Sequence, residues 1–368
     1  MKKLIPLYKP YISNDEKKNV LKCLKDNWIS SKGKFIKKFE DSFKKKFGYK
    51  YSCVTTNGTT ALHLSLLALD IKIKDEVIVP NLTYVAPANA VKYVGANAVL
   101  ADINPETWLM DVKEIEKKIT RNTKAIILVH LYGFVYNFSE IKKLRKKYNI
   151  KIIEDCAEAI GSKFRNKFVG NFGDISTFSF YGNKTFTTGE GGMVVTKKKS
   201  IFEKIVKFKS QGLNIYKKNN YYNHEIVGYN YRMTNICAAI GYSQLKKVNF
   251  FISQKKKIND LYQKFLSSDQ ITFQQALTSC KSTFWLVNIL FKDSLTKLKV
   301  ERYLKNKNIE TRPIFKPMNQ LKMFKLSDKN FTNSISISSR GISLPSYPDL
   351  KTRDIKYISD NIKSCLKK

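Results

Sequence analysis

Apolar and polar residues form two alternating patterns over the first half of the chain. Short runs of consecutive apolar residues, typical of buried strands, are followed by segments in which apolar residues recur every three or four positions, typical of helices. The predicted strands lie in YKYSCVTT, DEVIVP, NAVLADI, TKAIILVHLYG and IKIIEDCAEAIGS, and the predicted helices in TTALHLSLLAL, TYVAPANAVKYVG, VKEIEKKI and FSEIKKLRKKYN. Such strand–helix repeats predict an α/β fold with a mostly parallel central sheet, covered by helices on both faces.

The pattern changes after about Ser200, where longer helical segments replace the strand–helix repeat. NICAAIGYSQLKKVNFF and SQKKKINDLYQKFL are predicted to be helices, followed by a strand in STFWLVNILF and a helix in TKLKVERYLKNKN. A chain of 368 residues can form two domains, or one large domain with an appendage. We therefore predict a large α/β domain over residues 1–250, with the N-terminal segment included, and a small C-terminal α+β domain over residues 251–368.

The net charge of +37 is compatible with a nucleic-acid-binding protein, because basic patches attract phosphate backbones. Here, however, the lysines are spread over the whole chain, as in KEIEKKITRNTK, IKKLRKKYNIK and SQKKKIND, which is typical of solvated helix faces. Lysine also far outnumbers arginine, whereas proteins that read bases or clamp phosphates favour arginine. We expect no nucleic-acid partner and a surface that attracts small anionic substrates. A basic nucleic-acid-binding protein on a degenerate enzyme fold stays a remote alternative.

Other classes of protein are disfavoured by the same sequence. No apolar stretch approaches the length of a membrane span, and Pro6, Lys9 and Pro10 interrupt any leader-like segment at the start. The six cysteines lack CxxC spacing, and the three histidines lack a second ligand at helical spacing. We therefore expect reduced thiols, a cytoplasmic location and no metal site. Neither GxGxxG nor a P-loop motif follows a predicted strand, which argues against those nucleotide sites.

Three polar turns follow predicted strands, at the edge of the sheet where ligands of open α/β folds bind. Residues 56–60, TNGTT, open a helix with free N–H groups and hydroxyls that suit a phosphate. Asp155 follows the apolar run IKII, where a carboxylate is costly without a cationic partner. Lys184 stands apart from the lysine runs, between an aromatic strand that carries Ser179 and the turn TTGEGG.

Each of these features also has a purely structural interpretation: a helix cap, a capping carboxylate and a surface lysine. Together on one α/β scaffold, however, a phosphate cradle, a buried carboxylate and an isolated amine are the groups that pyridoxal 5′-phosphate (PLP) requires. The carboxylate would keep the pyridine nitrogen protonated, and the amine would bind the cofactor covalently. The three turns therefore predict a PLP site.

Longer motifs around these turns resemble a known enzyme family. IEDCAEAIGS, GDISTFSFYGNKTFTTGEGGMVVT, GYNYRMTNICAAIGYSQL and ISLPSYPDL are similar to segments of the DegT/DnrJ/EryC1/StrS sugar aminotransferases, and the resemblance covers nearly the whole chain. It implies the fold-type-I architecture of aspartate aminotransferase, with PLP as cofactor. Relatives that dehydrate C3 of the sugar have histidine at the position of Lys184, so the lysine implies transamination.

The resemblance implies roles for individual residues around the cofactor ring. Lys184 matches the lysine that binds the cofactor and shuttles protons, and Asp155 matches the partner of the pyridine nitrogen. Glu158 matches a position, often glutamine in the family, that contacts the phenolic oxygen of the cofactor. Tyr84 matches an aromatic residue that stacks on the ring.

The phosphate site implied by the resemblance draws on two subunits. Ser179, Gly58 and Thr59 match the phosphate cup, whereas Asn230, in GYNYR, matches a residue that reaches the phosphate from the neighbouring subunit. The resemblance therefore implies a homodimer with shared active sites.

The substrates expected from the resemblance are L-glutamate and a nucleotide-linked 4-keto-6-deoxyhexose, as used in polysaccharide biosynthesis. GNKTFTTGEGG and IETRPIFKPM are most similar to family members that aminate C4 of GDP-4-keto-6-deoxy-D-mannose. A UDP- or dTDP-linked sugar, or amination at C3, stays open. Ser31, Lys32 and Arg312 are candidate contacts to the diphosphate, because they offer hydroxyl and basic groups near the expected mouth of the site.

Overall fold

The computed structural model describes residues 4–213 and 222–367. The α-helices within these ranges are α1 (Asn14–Lys25), α2 (Lys34–Phe47), α3 (Gly58–Ala68), α4 (Ala86–Tyr93), α5 (Val112–Lys118), α6 (Phe138–Tyr148), α7 (Lys199–Lys209), α8 (Asn235–Lys246), α9 (Val248–Leu266), α10 (Ser294–Asn306), α11 (Thr332–Arg340) and α12 (Thr352–Lys367). The predicted helices after the first, second, third and fourth predicted strands are thereby confirmed as α3, α4, α5 and α6.

The strands are β1 (Tyr51–Thr55), β2 (Glu76–Pro80), β3 (Asn97–Ala101), β4 (Thr123–Val129), β5 (Lys151–Asp155), β6 (Lys163–Phe164), β7 (Lys167–Phe168), β8 (Ile175–Ser179), β9 (Gly192–Thr196), β10 (Thr272–Phe273), β11 (Cys280–Lys281), β12 (Val287–Leu290), β13 (Arg312–Pro313) and β14 (Gly341–Leu344). Seven of them form the central sheet in the order β1-β9-β8-β5-β4-β2-β3, and β11, β6 and β7 form a small separate sheet.

The central sheet is mostly parallel, as predicted. Its strands β3, β2, β4, β5 and β8 run in one direction, whereas β9 is antiparallel to both β8 and β1. The register pairs Asp155 at the end of β5 with Thr177 of β8. Because parallel strands end at the same edge, Asp155 and Ser179, which is two residues beyond Thr177, both lie at the carboxyl edge of the sheet.

Successive strand residues point to opposite faces of the sheet, and helices cover both faces. Ile78 and Ile126 belong to the core formed with α2, α6 and α8. Val77 and Ile127 belong to the core on the other face, formed with α3 and α4. Burial on both faces accounts for the continuous apolar runs from which the strands were predicted.

The C-terminal region has its own antiparallel sheet, in the order β10-β12-β14-β13, with a core shared by α9, α10 and α12. The two helices predicted near residue 250 are confirmed as α8 and α9. The N-terminal segment reaches this region, since Ile5 pairs with Ile309 and the N–H of Leu7 donates to Glu310 Oε2 at 2.9 Å. The division into residues 1–250 and 251–368 stays a prediction.

The strand predicted in STFWLVNILF is shorter than its apolar run. Phe284 has a φ of 52°, which turns the backbone before β12 begins at Val287. Trp285 consequently stands outside the sheet, next to the carboxyl edge of the large domain. None of the helices in the described ranges combines the length and the apolar character needed to cross a membrane.

Candidate active site

The turn before α3 acts as both a helix cap and a cradle. The side-chain oxygen of Asn57 accepts a hydrogen bond from the N–H of Thr60 at 2.9 Å, so the structural interpretation as a cap is correct. A Cβ atom on Gly58 would lie 2.9 Å from Cβ of Ser179, so only glycine allows α3 to begin this close to the end of β8. Thr59 is in the first turn of α3, whose N–H groups favour an anion.

Asp155 is a buried carboxylate at the end of β5, with 5% of its surface exposed. One of its oxygens accepts a hydrogen bond from the N–H of Ala157 at 3.0 Å, in the manner of a turn-capping residue. Burial raises the pKa of Asp155, and this effect is only partly offset by that hydrogen bond, by the positive charge of Lys184 and by the side chain of Thr177. The carboxylate would therefore be stabilised by a cation placed beside it.

Lys184 is not a surface lysine, because its side chain is only 12% exposed. Its Nζ donates a hydrogen bond to Glu158 Oε1 at 3.4 Å and lies 3.9 Å from the centre of the Trp285 ring. Its backbone is also held, since the N–H donates to the carbonyl of Tyr181 at 2.9 Å and the carbonyl accepts from the hydroxyl of Tyr8. The amine is therefore kept at the carboxyl edge of the sheet.

Glu158 is the second buried carboxylate of the site. Its Oε2 accepts a hydrogen bond from the N–H of Tyr132 at 2.7 Å. Burial raises the pKa of Glu158, and the negative charge of Asp155 adds to this rise, whereas Lys184 opposes it. Asp155 and Glu158 thus both have raised pKa values and both interact with Lys184. This arrangement favours transfer of a proton between the amine and a carboxylate.

A row of aromatic rings leads from Lys184 to Tyr84. The Trp285 and Tyr132 rings are 6.0 Å apart and nearly parallel, Tyr132 stacks on Phe315 at 5.6 Å, and Phe315 contacts Tyr84 at 5.9 Å. Tyr84 is 57% exposed, so one of its faces is available to a flat ring. The sequence predicted Tyr84 but missed the other three aromatic residues of this row.

Asn230 lies in the segment that precedes α8. Asn230 is exposed, and its side-chain oxygen accepts hydrogen bonds from Arg232 at 3.0 and 3.1 Å. The next residue, Tyr231, accepts a hydrogen bond from the N–H of Thr56, so this segment lies beside the turn before α3. Asn230 is therefore close to the predicted phosphate cup of its own chain, although its side chain points away from the protein core.

The three candidate contacts to the substrate are separate from the group around Lys184. Ser31, half-buried, and Lys32, exposed, occupy the turn before α2. Arg312 is exposed in β13, 3.9 Å from Glu310. None of the contacts that the structure describes in residues 4–213 and 222–367 joins these three side chains to Lys184, and their role stays a prediction.

A second polar cluster lies inside the large domain, where His130, Glu154 and Cys156 have ligand atoms within 4.8 Å of one another. Glu154 accepts hydrogen bonds from the backbone N–H groups of Gly170, Phe172 and Gly173, and contacts His130 at 3.3 Å. These bonds occupy the carboxylate and lower its pKa against the effect of burial. The cluster is thus accounted for by hydrogen bonding, and the expectation of no metal site stays a prediction.

The residues at the carboxyl edge fit PLP in three respects. A glycine and a serine form a cradle beside a helix N-terminus, which suits a phosphate. Asp155 offers a buried carboxylate that forms no ion pair with another residue of the described ranges, which suits a protonated pyridine nitrogen. Lys184 supplies a held amine at the same edge of the sheet, with the Trp285 ring 3.9 Å from its Nζ.

Comparisons with known proteins identify the family of this chain. Residues 10–363 match the DegT/DnrJ/EryC1/StrS aminotransferase family. The chain is 47% identical to GDP-perosamine synthase of Escherichia coli O157:H7, with 98% of each chain covered, and 40% identical to GDP-perosamine synthase of Vibrio cholerae, with 98% of this chain and 99% of the relative covered. Among solved structures, the putative sugar aminotransferase Spr1654 from Streptococcus pneumoniae in its PMP form superposes with a TM-score of 0.93 at 26% identity, over 99% of this chain and 98% of that one. The chain therefore belongs to the DegT/DnrJ/EryC1/StrS aminotransferase family and is a PLP-dependent aminotransferase of fold type I.

Proposed function

We propose that this aminotransferase converts GDP-4-keto-6-deoxy-D-mannose to GDP-perosamine in the cytoplasm, with L-glutamate as the amino donor. The observation that carries the substrate is the 47% identity to a GDP-perosamine synthase over 98% of the chain. The partly buried amine of Lys184, 3.4 Å from Glu158, supports transamination as the reaction. The product would supply an amino sugar for polysaccharide synthesis.

In this proposal the chain's own residues bind, orient and exchange protons. PLP, when bound, takes up the amino group of one substrate, delivers it to the next and withdraws electrons from the reacting carbon. Gly58, Thr59 and Ser179 would hold its phosphate, and Lys184 would bind it covalently. The free Nζ of Lys184 then accepts and returns protons at the reacting carbons, and its contacts with Glu158 and Trp285 limit where it stands.

The glutamate at position 158 can serve the same purpose as the glutamine often found there in the family. An amide donates a hydrogen bond to a phenolic oxygen, and a carboxylic acid does so only when it is protonated. Burial raises the pKa of Glu158, which favours the protonated form. We therefore propose that Glu158 acts as a hydrogen-bond donor when the cofactor is bound.

The sugar nucleotide would enter across the exposed basic residues. Arg312 lies three residues before Phe315, whose ring contacts Tyr84 at 5.9 Å, so this arginine stands near the outer end of the aromatic row. We propose Arg312, Lys32 and Ser31 as contacts to the diphosphate, because guanidinium, ammonium and hydroxyl groups all donate to phosphate oxygens. The overall charge of +37 would favour the approach of such an anionic substrate.

A comparison of sugar nucleotides tests the proposed substrate. GDP-, UDP- and dTDP-4-keto-6-deoxy sugars are assayed in parallel with L-glutamate, and the product is identified by mass spectrometry and NMR. We expect kcat/KM to be at least about tenfold higher for the GDP sugar, with the new amine at C4. A higher kcat/KM for a UDP or dTDP sugar, or an amine at C3, would replace the proposed substrate while leaving the aminotransferase activity in place.

We also propose a homodimer in which Asn230 of each chain serves the cofactor phosphate of its partner. The exposure of Asn230 in the single chain supports this arrangement. A two-fold interface uses the same patch on both chains and so creates two equivalent sites. The position of the neighbouring Tyr231 beside Thr56 leaves a role within its own chain as the alternative.

Mixing two inactive variants decides between these alternatives. We expect Lys184→Ala and Asn230→Asp to be strongly impaired alone, the second because its new charge repels the phosphate. In a mixed dimer with shared sites, one site combines the intact Lys184 of one chain with the intact Asn230 of the other. Since about half of the dimers are mixed and each has one good site, co-refolding should restore about a quarter of the wild-type activity.

A pair of variants in the same site provides the control. Lys184 and Asp155 come from one chain, so mixing Lys184→Ala with Asp155→Asn creates no intact site and should restore nothing. If the Asn230 mixture also regains nothing, Asn230 acts within its own chain. Asn230→Asp is suited to this test because its oxygen can still accept from Arg232 and preserve the local structure.

A further inference from the structure

Lys255 is a completely buried lysine in α9, outside the set of residues used above. Its Nζ donates hydrogen bonds to the backbone carbonyls of Trp285, at 2.9 Å, and Ser346. The same atom lies 4.6 Å from the centre of the Tyr8 ring. Two carbonyls and one aromatic face thus account for the three N–H groups of the ammonium.

The sequence gives a misleading impression of this residue. Lys255 belongs to the run SQKKKIND, which we interpreted as a solvated helix face, and this interpretation is wrong for Lys255. It lies four residues after Phe251 and three before Ile258, both of which are buried, so that it points with them toward the core. Lys256, the next residue, is exposed and forms an ion pair with Asp260.

Burying this amine opposes folding. Burial lowers the pKa of Lys255 to about 7, because the ammonium is poorly solvated there. Within the described part of the chain no carboxylate lies within ion-pair distance of its Nζ. A buried charge of this kind contributes little to stability compared with a well-packed apolar side chain. Its contacts therefore suggest a role other than stability.

Both aromatic residues that contact Lys255 also contact the turn that carries Lys184. The Trp285 ring lies 3.9 Å from Nζ of Lys184, and its Nε1 donates to the carbonyl of Asn183 at 2.6 Å. The hydroxyl of Tyr8 donates to the carbonyl of Lys184. Lys255 is thus linked to Lys184 by two separate routes, one through the start of β12 and one through the N-terminal segment.

We propose that Lys255 is a positioning residue, which holds Trp285 and Tyr8 against the turn of Lys184 and so fixes where the reactive amine stands. Its link to catalysis rests on the role proposed for Lys184, whereas its link to the position of Lys184 does not. The same ammonium also donates to the carbonyl of Ser346, just after β14, and so connects the turn of Lys184 with the C-terminal sheet. The amine is thereby held by the C-terminal region as well as by the large domain.

Chemical labelling of the full-length apoenzyme tests this proposal without using turnover. The protein is acetylated with a trace of reagent, and labelling of Lys184 relative to the exposed Lys256 is measured by peptide mass spectrometry. In Lys255→Met, which removes the ammonium but keeps much of the volume, we expect labelling of Lys184 to rise by about fivefold as the turn loosens. The unfolding midpoint should change little, since loss of the buried charge offsets the lost hydrogen bonds.

Tyr262→Phe is the matched control. Tyr262 is another buried residue of α9, and its hydroxyl donates to the carbonyl of Pro345 at 3.0 Å, next to Ser346. The variant therefore loses a buried hydrogen bond between the same elements without touching the contacts to Lys184. Its labelling of Lys184 should equal that of the wild type. An equal rise in both variants would mean that Lys255 has only a structural role, and no rise in Lys255→Met would overturn the proposal.

Lys255→Gln, which also removes the ammonium, replaces Lys255→Met in these tests if that variant does not fold. Tyr8→Phe tests the route through the N-terminal segment. It removes the hydroxyl that contacts Lys184 and leaves the ring that faces Lys255. We expect the labelling of Lys184 to rise, and in the double variant the two effects should be less than additive because they share one route. Unchanged labelling in Tyr8→Phe excludes the route through the N-terminal segment, and full additivity in the double variant shows that Lys255 does not act through Tyr8; either result would overturn the proposal as stated. If the holoenzyme variants also have a lower kcat with little change in KM, the position of the Lys184 amine affects the chemical step.

Discussion

Replacement of Lys184 by alanine is expected to abolish turnover while PLP still binds. The phosphate cradle around Gly58 and Ser179, the carboxylate of Asp155 and the face of Tyr84 are unchanged in the variant. The covalent attachment and the proton-transferring amine are lost, and we expect kcat to fall by about 10³-fold or more. Absorption spectroscopy measures the loss of the covalent attachment, because the band of lysine-bound PLP should be replaced by that of the free aldehyde.

Lys184→Arg tests whether activity requires the amine of Lys184 or only its positive charge. The guanidinium keeps a cation beside Glu158 and Trp285 but cannot attach the cofactor covalently, so this variant should be as inactive as Lys184→Ala. Lys199→Ala, which alters an exposed lysine 3.7 Å from Glu203, is the neutral control. A Lys184→Ala enzyme that keeps a borohydride-reducible band and near-normal turnover would show that another lysine binds the cofactor.

The large-domain core could be predicted because its signals are local. Buried parallel strands are continuous apolar runs, and their helices have a regular spacing of apolar residues, so β2 to β5 and α3 to α6 follow directly from the sequence. The position of β9 could not be predicted in this way. It lies between β8 and β1 and runs antiparallel to both, and this order depends on contacts between distant segments.

The candidate site was predictable where one residue type has a distinctive setting. Asp155 after an apolar run and Lys184 outside the lysine runs are both unusual in sequence. In the structure Asp155 is buried and the side chain of Lys184 is only 12% exposed. Tyr132 and Trp285 gave no such signal. Tyr132 has a φ of 56° and Trp285 follows Phe284 with a φ of 52°, and a pattern of apolar residues does not reveal such turns. Their aromatic side chains therefore looked like ordinary core residues.

The burial of Lys255 could have been predicted from its helical spacing, but the high lysine content of the chain obscured this pattern. Its spacing from Phe251, Ile258 and Tyr262 places it on the buried face of α9. In a chain with 67 lysines and arginines, one more lysine within a run was interpreted as part of the solvated surface. Helical position, rather than residue type, would have identified it.

Asp155→Asn is expected to bind PLP but to lose on the order of 10²-fold or more in kcat, because a neutral amide no longer favours the protonated pyridine ring. The substitution is nearly isosteric, and the amide oxygen can still accept the hydrogen bond from Ala157 that the carboxylate accepts at 3.0 Å. The turn after β5 should therefore keep its structure. Activity close to that of the wild type would remove Asp155 from the mechanism.

The same variant should have opposite effects on the apoenzyme and the holoenzyme. Burial raises the pKa of Asp155, so between its ordinary value and the raised value the folded apoenzyme binds more protons than the unfolded chain. Its stability contribution is thus present at low pH and is lost as the pH rises through the raised pKa. At neutral pH, Asp155→Asn should consequently unfold at the same temperature as the wild-type apoenzyme or higher, whereas the increase in Tm on adding PLP should be smaller.

Asp174→Asn is the matched control for this measurement. Asp174 is also a buried carboxylate, but it already has a cationic partner, Arg145, at 2.8 Å, and it accepts the N–H of Ile152 at 3.0 Å. Breaking this pair should lower the Tm of the apoenzyme and leave the increase caused by PLP unchanged. If Asp155→Asn instead behaves like Asp174→Asn, with a less stable apoenzyme and a full increase on adding PLP, then Asp155 is a structural carboxylate that does not hold the cofactor.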